Sequence, residues 1–283
     1  MSRVEPRYSL LTLEKGLLTL ELISNTPGDI GLSKLSALLD QPISVVFRVL
    51  RTLVNLGYLS QDPVTKGYSL GLRLWQLGEK AAARLDVRDS VQPVLNKLMR
   101  ATGETASFAW VLDHDYAYIA TAEGSQPLRA YVERGSRLPL SSPSASARAI
   151  LAFSDAELID TILAGRLKRQ TPKTVTDPQR VRDMLGVIRE RGVAVVHGEN
   201  QQQLSAVAAP IRGADGRCIG AIALSGLTSR FEGDALKRIV QLVKAEAKDL
   251  ERRIRFPAGS AQPAQTARGD ANRQVKQRAG RSK

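Results

Sequence analysis

The chain has 283 residues, 43% of them hydrophobic, which suits one large domain or two ordinary ones with a real core. Its formal net charge is +13. A single cysteine, Cys218, with only His114 and His197, excludes an intramolecular disulfide framework and the usual structural zinc sites.

No apolar run is long enough to span a bilayer. The first thirty residues lack the basic start, apolar stretch and small-residue cleavage site of a signal peptide. A soluble, cytoplasmic protein is expected. The charge is unevenly placed: Met1 to Ser90 holds eleven basic and nine acidic residues, whereas Arg255 to Lys283 holds seven basic residues and one acid. That last stretch has almost no large apolar residue after Phe256, so residues 256–283 are expected to be a disordered basic tail. It reads as solubilising, or as a phosphate-binding arm.

Leu10, Leu13, Leu17 and Leu20 recur at helical spacing, with Leu11, Leu18 and Leu22 beside them and Ser9 as a candidate cap. Apolar around much of its girth, this helix is expected to be central to a small bundle. "NTPGD" breaks the chain. "LSKLSALLD" reads as a second short helix capped by Ser33, with Leu35, Leu38 and Leu39 inward. Pro42 then suits the first position of a third helix. In that helix Val46, Val49, Leu50, Leu53 and Leu56 make the inward stripe, and Ser44, Arg48, Arg51 and Asn55 fall opposite. Gly57 suits its end. "YLSQ" and "GYSLG" around "DPVTK" make a hairpin with Lys66 near its tip.

Two short helices, a helix with a basic polar face and a hairpin constitute a winged helix-turn-helix. The third helix is the candidate for the major groove of a double-stranded operator, and the hairpin for a neighbouring phosphate. The expected DNA contacts are Ser33, Lys34, Ser44, Val45, Arg48, Arg51 and Lys66. On a lone helix, Arg48 and Arg51 would read as ordinary surface charges; the complete arrangement favours DNA.

Residues 71–89 read as a linker helix, whose Leu72, Trp75 and Leu85 can pair in a dimer, with an interruption expected from Asp86 to Pro93. Val91, Val94, Leu95 and Leu98 start another apolar stripe. "TASFAWVL", "AYIATA" and "LRAYVE" read as strands, with Asp113, His114 and Asp115 in a turn. "SSPSASARAILAF", "DAELIDTILAG" and "DPQRVRDMLGVIRERG" read as helices, the last with Val181, Met184, Leu185 and Ile188 inward. "VAVVHG" is a strand, and "LSAVAAPIRGADGRCIGAIALSG" a hairpin turning at Asp215-Gly216. A final helix from about Glu232 to Arg253 turns Leu236, Ile239, Val240, Val243 and Leu250 inward. The fold class is therefore α+β: residues 1–70 a DNA-binding domain, 71–89 the linker, and 90–255 a second domain around an antiparallel sheet.

In order and separation, "LSKLSALLDQPISVVFRVLRTLVNLGYL", "GYSLGLRLWQLG", "GSRLPLSSPSASARAILA" and "IRERGVAVVHGENQQQLSAVAAPIRGADGRCIGAIALSG" resemble the IclR family of bacterial transcriptional regulators. The resemblance spans Ser9 to about Ile254. It implies a winged helix-turn-helix, a linker helix and a GAF-like effector-binding domain. It also implies dimers, often paired into tetramers on the operator, and a small organic effector such as an acid or aromatic catabolite. No cofactor is implied. The sequence departs from the family at the recognition helix, which usually opens with a basic and a hydroxyl residue; here Ile43 and Val45 flank Ser44, so apolar contact with a thymine methyl becomes possible. Gln203 stands where the family often has Gly, and the segment before "SASAR" is stretched by about a residue.

Carried over position by position, the family's effector cavity becomes Ala145, Ser146, Val196, His197, Ala206, Ala223 and Ser225. Ala145 and Ser146 would offer helix-start N–H groups to a carboxylate, and Ser225 a hydroxyl. The small apolar members suit an aromatic or larger organic acid; each can equally be plain core packing, and His197 a satisfied core histidine. Arg129, Arg134, Arg137 and Arg148 can pair with an acidic effector, although a surface charge is the simpler reading of each. No nucleophile elbow, phosphate loop or dinucleotide fingerprint occurs, and two histidines make a catalytic triad improbable, so no enzyme is expected. The alternative reading is an architectural DNA-binding protein without an effector, against which the large second domain argues.

Overall fold

Short helices are marginal alone and are held by packing into a shared core. The computed structural model describes residues 10–84, 87–213 and 216–253. The expected cap Ser9, Leu85, Asp86, the turn residue Asp215 and the tail from Phe256 lie outside them. The chain divides into two units between Ala82 and Ala83.

The first unit contains α1 (Leu11–Ser24), α2 (Leu32–Leu39) and α3 (Ile43–Asn55), followed by β1 (Leu59–Gln61) and β2 (Tyr68–Leu70). Ile23, Ile30, Leu35, Val46, Leu50, Leu59 and Tyr68 form its core. Ile30 and Tyr68 exchange both backbone hydrogen bonds, at 3.1 and 2.9 Å, which fastens the segment before α2 to the hairpin. At the hairpin tip Asp62 Oδ1 accepts from the N–H groups of Val64 (2.8 Å) and Thr65 (2.6 Å). These two bonds hold its carboxyl below the usual carboxylate range. Gly57 ends α3 with φ +76°, a left-handed conformation that suits glycine.

Several sequence expectations are corrected here. Leu10, Leu11, Leu13 and Leu17 are exposed, and α1 enters the core only through Thr19, Leu20, Leu22 and Ile23 at its C-terminal half. Gly31, not Ser33, caps α2, and Pro42 is the residue before α3 rather than its first. Leu56 is exposed at the α3 terminus.

Two further helices follow, α4 (Leu72–Arg84) and α5 (Val87–Thr102); α5 runs through Pro93. The interruption expected up to Pro93 is therefore absent from Val87 onward. Pro93 is the seventh of the sixteen residues of α5 and lacks the N–H that would bond four residues back. The second unit is built on a six-stranded antiparallel sheet of order β5-β4-β3-β8-β7-β6. Its strands are β3 (Thr105–Leu112), β4 (Asp115–Ala122), β5 (Arg137–Pro139), β6 (Ala194–His197), β7 (Leu204–Arg212) and β8 (Cys218–Leu227). One face packs on α5 and α9 (Gly233–Arg253) through Phe108, Trp110, Val207, Ile222 and Leu224. The other face, lined by Ala109, Ala194, Ala208, Ala221 and Ala223, packs on α6 (Ala145–Ala152), α7 (Ala156–Ala164) and α8 (Pro178–Arg191). Asp155 and Asp177 cap α7 and α8 by accepting backbone N–H bonds.

Residues 128–133, expected to be a strand, do not pair. Thr105 Oγ1 donates to the Ala130 carbonyl and Arg230 donates to the Leu128 carbonyl, so side chains hold the segment instead of a ladder. The fifth strand lies further on, where Leu138 registers with Tyr116.

Candidate functional site

In the first unit the relevant element is α3. Val46, Val49 and Leu50 are buried, which turns Ser44, Arg48, Arg51 and Asn55 to solvent. The helix contains no acidic residue, and among the described residues neither guanidinium has an ion-pair partner. Ser33 and Lys34 are exposed on α2, and Lys66 is exposed at the hairpin tip with φ +58°. Val45 differs from the other expected contacts: it is half-buried and lines a groove of about 200 Å³ with Leu11, Leu18 and Leu39. Its place among the exposed side chains is taken by Ile43 and Phe47, 53% and 45% exposed. Sequence reasoning misses Phe47 because an aromatic side chain reads as core. Its spacing, four residues after Ile43 and four before Arg51, is the signal that could have found it.

In the second unit the strand register gathers most of the expected effector residues. Val196 pairs with Ala206, and Ala206 with Ser225, so these three form a row across β6, β7 and β8. The next row holds Ala194, Ala208 and Ala223. Cross-strand partners share a face, and this face meets buried Ala145 and Ser146 at the start of α6. Ser144 caps that helix, accepting from Ala147 N at 3.1 Å, and its hydroxyl meets Tyr116 Oη at 2.8 Å. Tyr118 lies against the same cluster; burial, then the neighbouring Tyr116, raises its pKa, while a hydrogen bond with Ser146 opposes the rise. His197 does not join them. It pairs with Ser205 at 3.1 Å, and Ser205 donates on to Thr228. Alternation along β6 puts His197 beside Val195, on the face covered by α5 and α9.

Arg148 is not a surface charge. Its side chain is 4% exposed and its Nη2 lies 2.5 Å from Glu199, itself 10% exposed. Nη1 meets Met184 Sδ at 3.1 Å. Thr174 and Thr171 donate to the Glu199 carbonyl at 2.6 and 3.3 Å, which ties the segment before α8 to the end of β6. Beside this pair Ser142, Pro143, Lys168 and Val175 help line a cavity of about 20 Å³, room for about one water. Arg129 and Arg137 pair with Glu123 and Asp115, and Arg134 is exposed. The described residues contain no cluster of His, Cys, Asp and Glu suited to a metal ion, and no helix long and apolar enough to cross a membrane. Burial pushes the Cys218 thiol up to about 12.

A winged helix-turn-helix with a free cationic helix face, followed by an α+β unit with an antiparallel sheet, defines a transcriptional regulator of the helix-turn-helix class. Residues 12–63 match the IclR helix-turn-helix domain and residues 79–252 match the bacterial transcriptional regulator IclR C-terminal domain. The chain belongs to the IclR family. It is 30% identical to the regulator KipR of Bacillus subtilis over 87% of this chain and 97% of KipR. A putative IclR regulator from Silicibacter sp. has the same fold, with TM-score 0.79 and 28% identity over 89% of this chain and all of that one. An IclR homolog from Microbacterium hydrocarbonoxydans, solved in complex with 4-hydroxybenzoate, superposes with TM-score 0.76. It is 22% identical and covers 85% of this chain and 98% of its own.

Proposed function

We propose that this regulator binds an operator through residues 1–70 and changes its affinity when residues 90–255 bind a small organic acid, with residues 71–89 linking the two. The observation that carries the DNA reading is the α3 face: exposed Ser44, Arg48, Arg51 and Asn55 with no acid in the helix. Ser33, Lys34 and Lys66 supply flanking backbone contacts, and half-buried Val45 at most an edge contact. Phosphate contacts position the helix and base contacts specify the sequence. Such a protein works where the DNA is, in the cytoplasm, and needs no catalytic chemistry.

The test is fluorescence anisotropy on a duplex selected by the protein from a random pool. Arg48→Ala and Arg51→Ala should each weaken binding without altering the circular dichroism spectrum. For each phosphate that a variant no longer neutralises, the slope of log affinity against log salt should fall by about 0.9. Variants that bind with wild-type affinity and slope would remove α3 from the interface.

The effector reading rests on the floor formed by Val196, Ala206, Ala223 and Ser225 below Ala145 and Ser146. A carboxylate suits the first-turn N–H groups, which have no partner four residues back in the helix. An aromatic ring suits the alanine floor, and Ser146, Ser225 and Tyr118 provide hydroxyls. A protein of this fold holding 4-hydroxybenzoate supports the same ligand class. Calorimetric titration should show aromatic acids binding above the smallest aliphatic acids; the reverse order would overturn the assignment. Dimers, or dimers of dimers, would form through the exposed Leu72 and Trp75 of α4. An effector then acts by changing the spacing of two recognition helices, which DNA constrains through its helical repeat. If no acid of either class raises the melting temperature, the architectural reading is favoured, because a ligand specific to the folded state must stabilise it.

A further inference from the structure

We propose that Phe47, together with Ile43, reads thymine in the operator through its C5 methyl group. This inference rests on the DNA reading above and adds the base that is read. Val46, Val49 and Leu50 of the same helix are buried, yet Phe47 and Ile43 remain 45% and 53% exposed. Ile43, Phe47 and Arg51 stand four residues apart and form one ridge. Asn55 continues that ridge, and Ser44, Arg48 and Thr52 form the one beside it. The apolar pair is therefore bordered by two guanidinium groups on a helix without a carboxylate.

That border selects the occupant. A protein surface covering Phe47 would have to accommodate both arginines as well; a duplex presents phosphates to them on either side of the groove. Within the major groove the apolar feature that distinguishes one base from another is the thymine methyl. Ile43 and Phe47 also lie in the first five residues of α3, the part of a recognition helix that approaches base edges. Half-buried Val45, turned toward α1, is not placed for this contact.

Replacing one thymine by deoxyuridine removes the methyl and leaves every hydrogen-bonding group in place. The probe is the duplex selected by the full-length protein, remade with deoxyuridine at each thymine in turn. Wild-type protein should bind about four-fold more weakly at the contacted position, the value expected for one buried methyl. Phe47→Ala should bind the thymine duplex more weakly and show no further drop on deoxyuridine; Phe47→Leu, which keeps an apolar side chain, should retain sensitivity. Circular dichroism checks that the variants fold, and the deoxyuridine series on wild-type protein needs no variant at all. Equal wild-type affinity at every substituted position, or the same deoxyuridine penalty in Phe47→Ala, overturns the inference while the DNA reading stands. Failure to select any duplex overturns the DNA reading, and this inference with it.

Discussion

Arg148→Met removes one partner of an ion pair that is almost wholly out of water. The two side chains are 4% and 10% exposed, with 2.5 Å between charged atoms. Burial lowers the Arg148 pKa and Glu199 opposes that shift. Truncating the arginine strands the carboxylate of Glu199 in the same place, at an expected cost of about 3–5 kcal/mol. For a unit of this size that corresponds to a melting temperature lower by about 6–20 °C. Differential scanning calorimetry measures the shift, and circular dichroism in urea measures it independently. The double variant Arg148→Met, Glu199→Leu should recover most of the stability, because replacing both charges by apolar groups is often neutral. Independent, additive effects of the two substitutions would refute the pairing. A single variant melting within about 2 °C of wild type would refute the premise that this charge is desolvated.

Two other outcomes are expected. The Cys218 thiol rises from its ordinary value near 9 to about 12, and Tyr118 is also raised by burial. Folded values above unfolded ones give stability that is complete below pH 9 and lost as pH climbs toward 12. Urea midpoints should therefore fall over that range, with a shallower fall in Cys218→Ala; an identical slope would remove the thiol as a cause. Gly220→Ala would place a Cβ 2.2 Å from the Ala109 carbonyl oxygen, between the paired strands β3 and β8. Overpacking of that kind costs about 1–3 kcal/mol, and an unchanged urea midpoint would contradict the register.

The sequence by itself determined what depends on neighbours along the chain. The stripe of Val46, Val49 and Leu50 sets the side of α3 that faces inward, so exposure of Arg48 and Arg51 follows from spacing. Caps at Asp155 and Asp177, and the alternation in β3, β4, β7 and β8, are equally local. The order of these elements carried the family. Tertiary structure decided whatever depends on distant partners. Arg148 is buried because Glu199 lies fifty-one residues further on and reaches it. His197 leaves the effector row by alternation after Val196, and only the fold supplies its partner, Ser205. Leu11, Leu13 and Leu17 of α1 are exposed although their spacing is that of a buried helix, since the small first core takes up only the C-terminal half of that helix. Residues 128–133 have the composition of a strand but join no ladder: Thr105 and Arg230 bond their carbonyls, and β4 pairs with Arg137–Pro139. Periodicity specifies the face an element would bury; only the packed chain specifies which elements have something to bury it against.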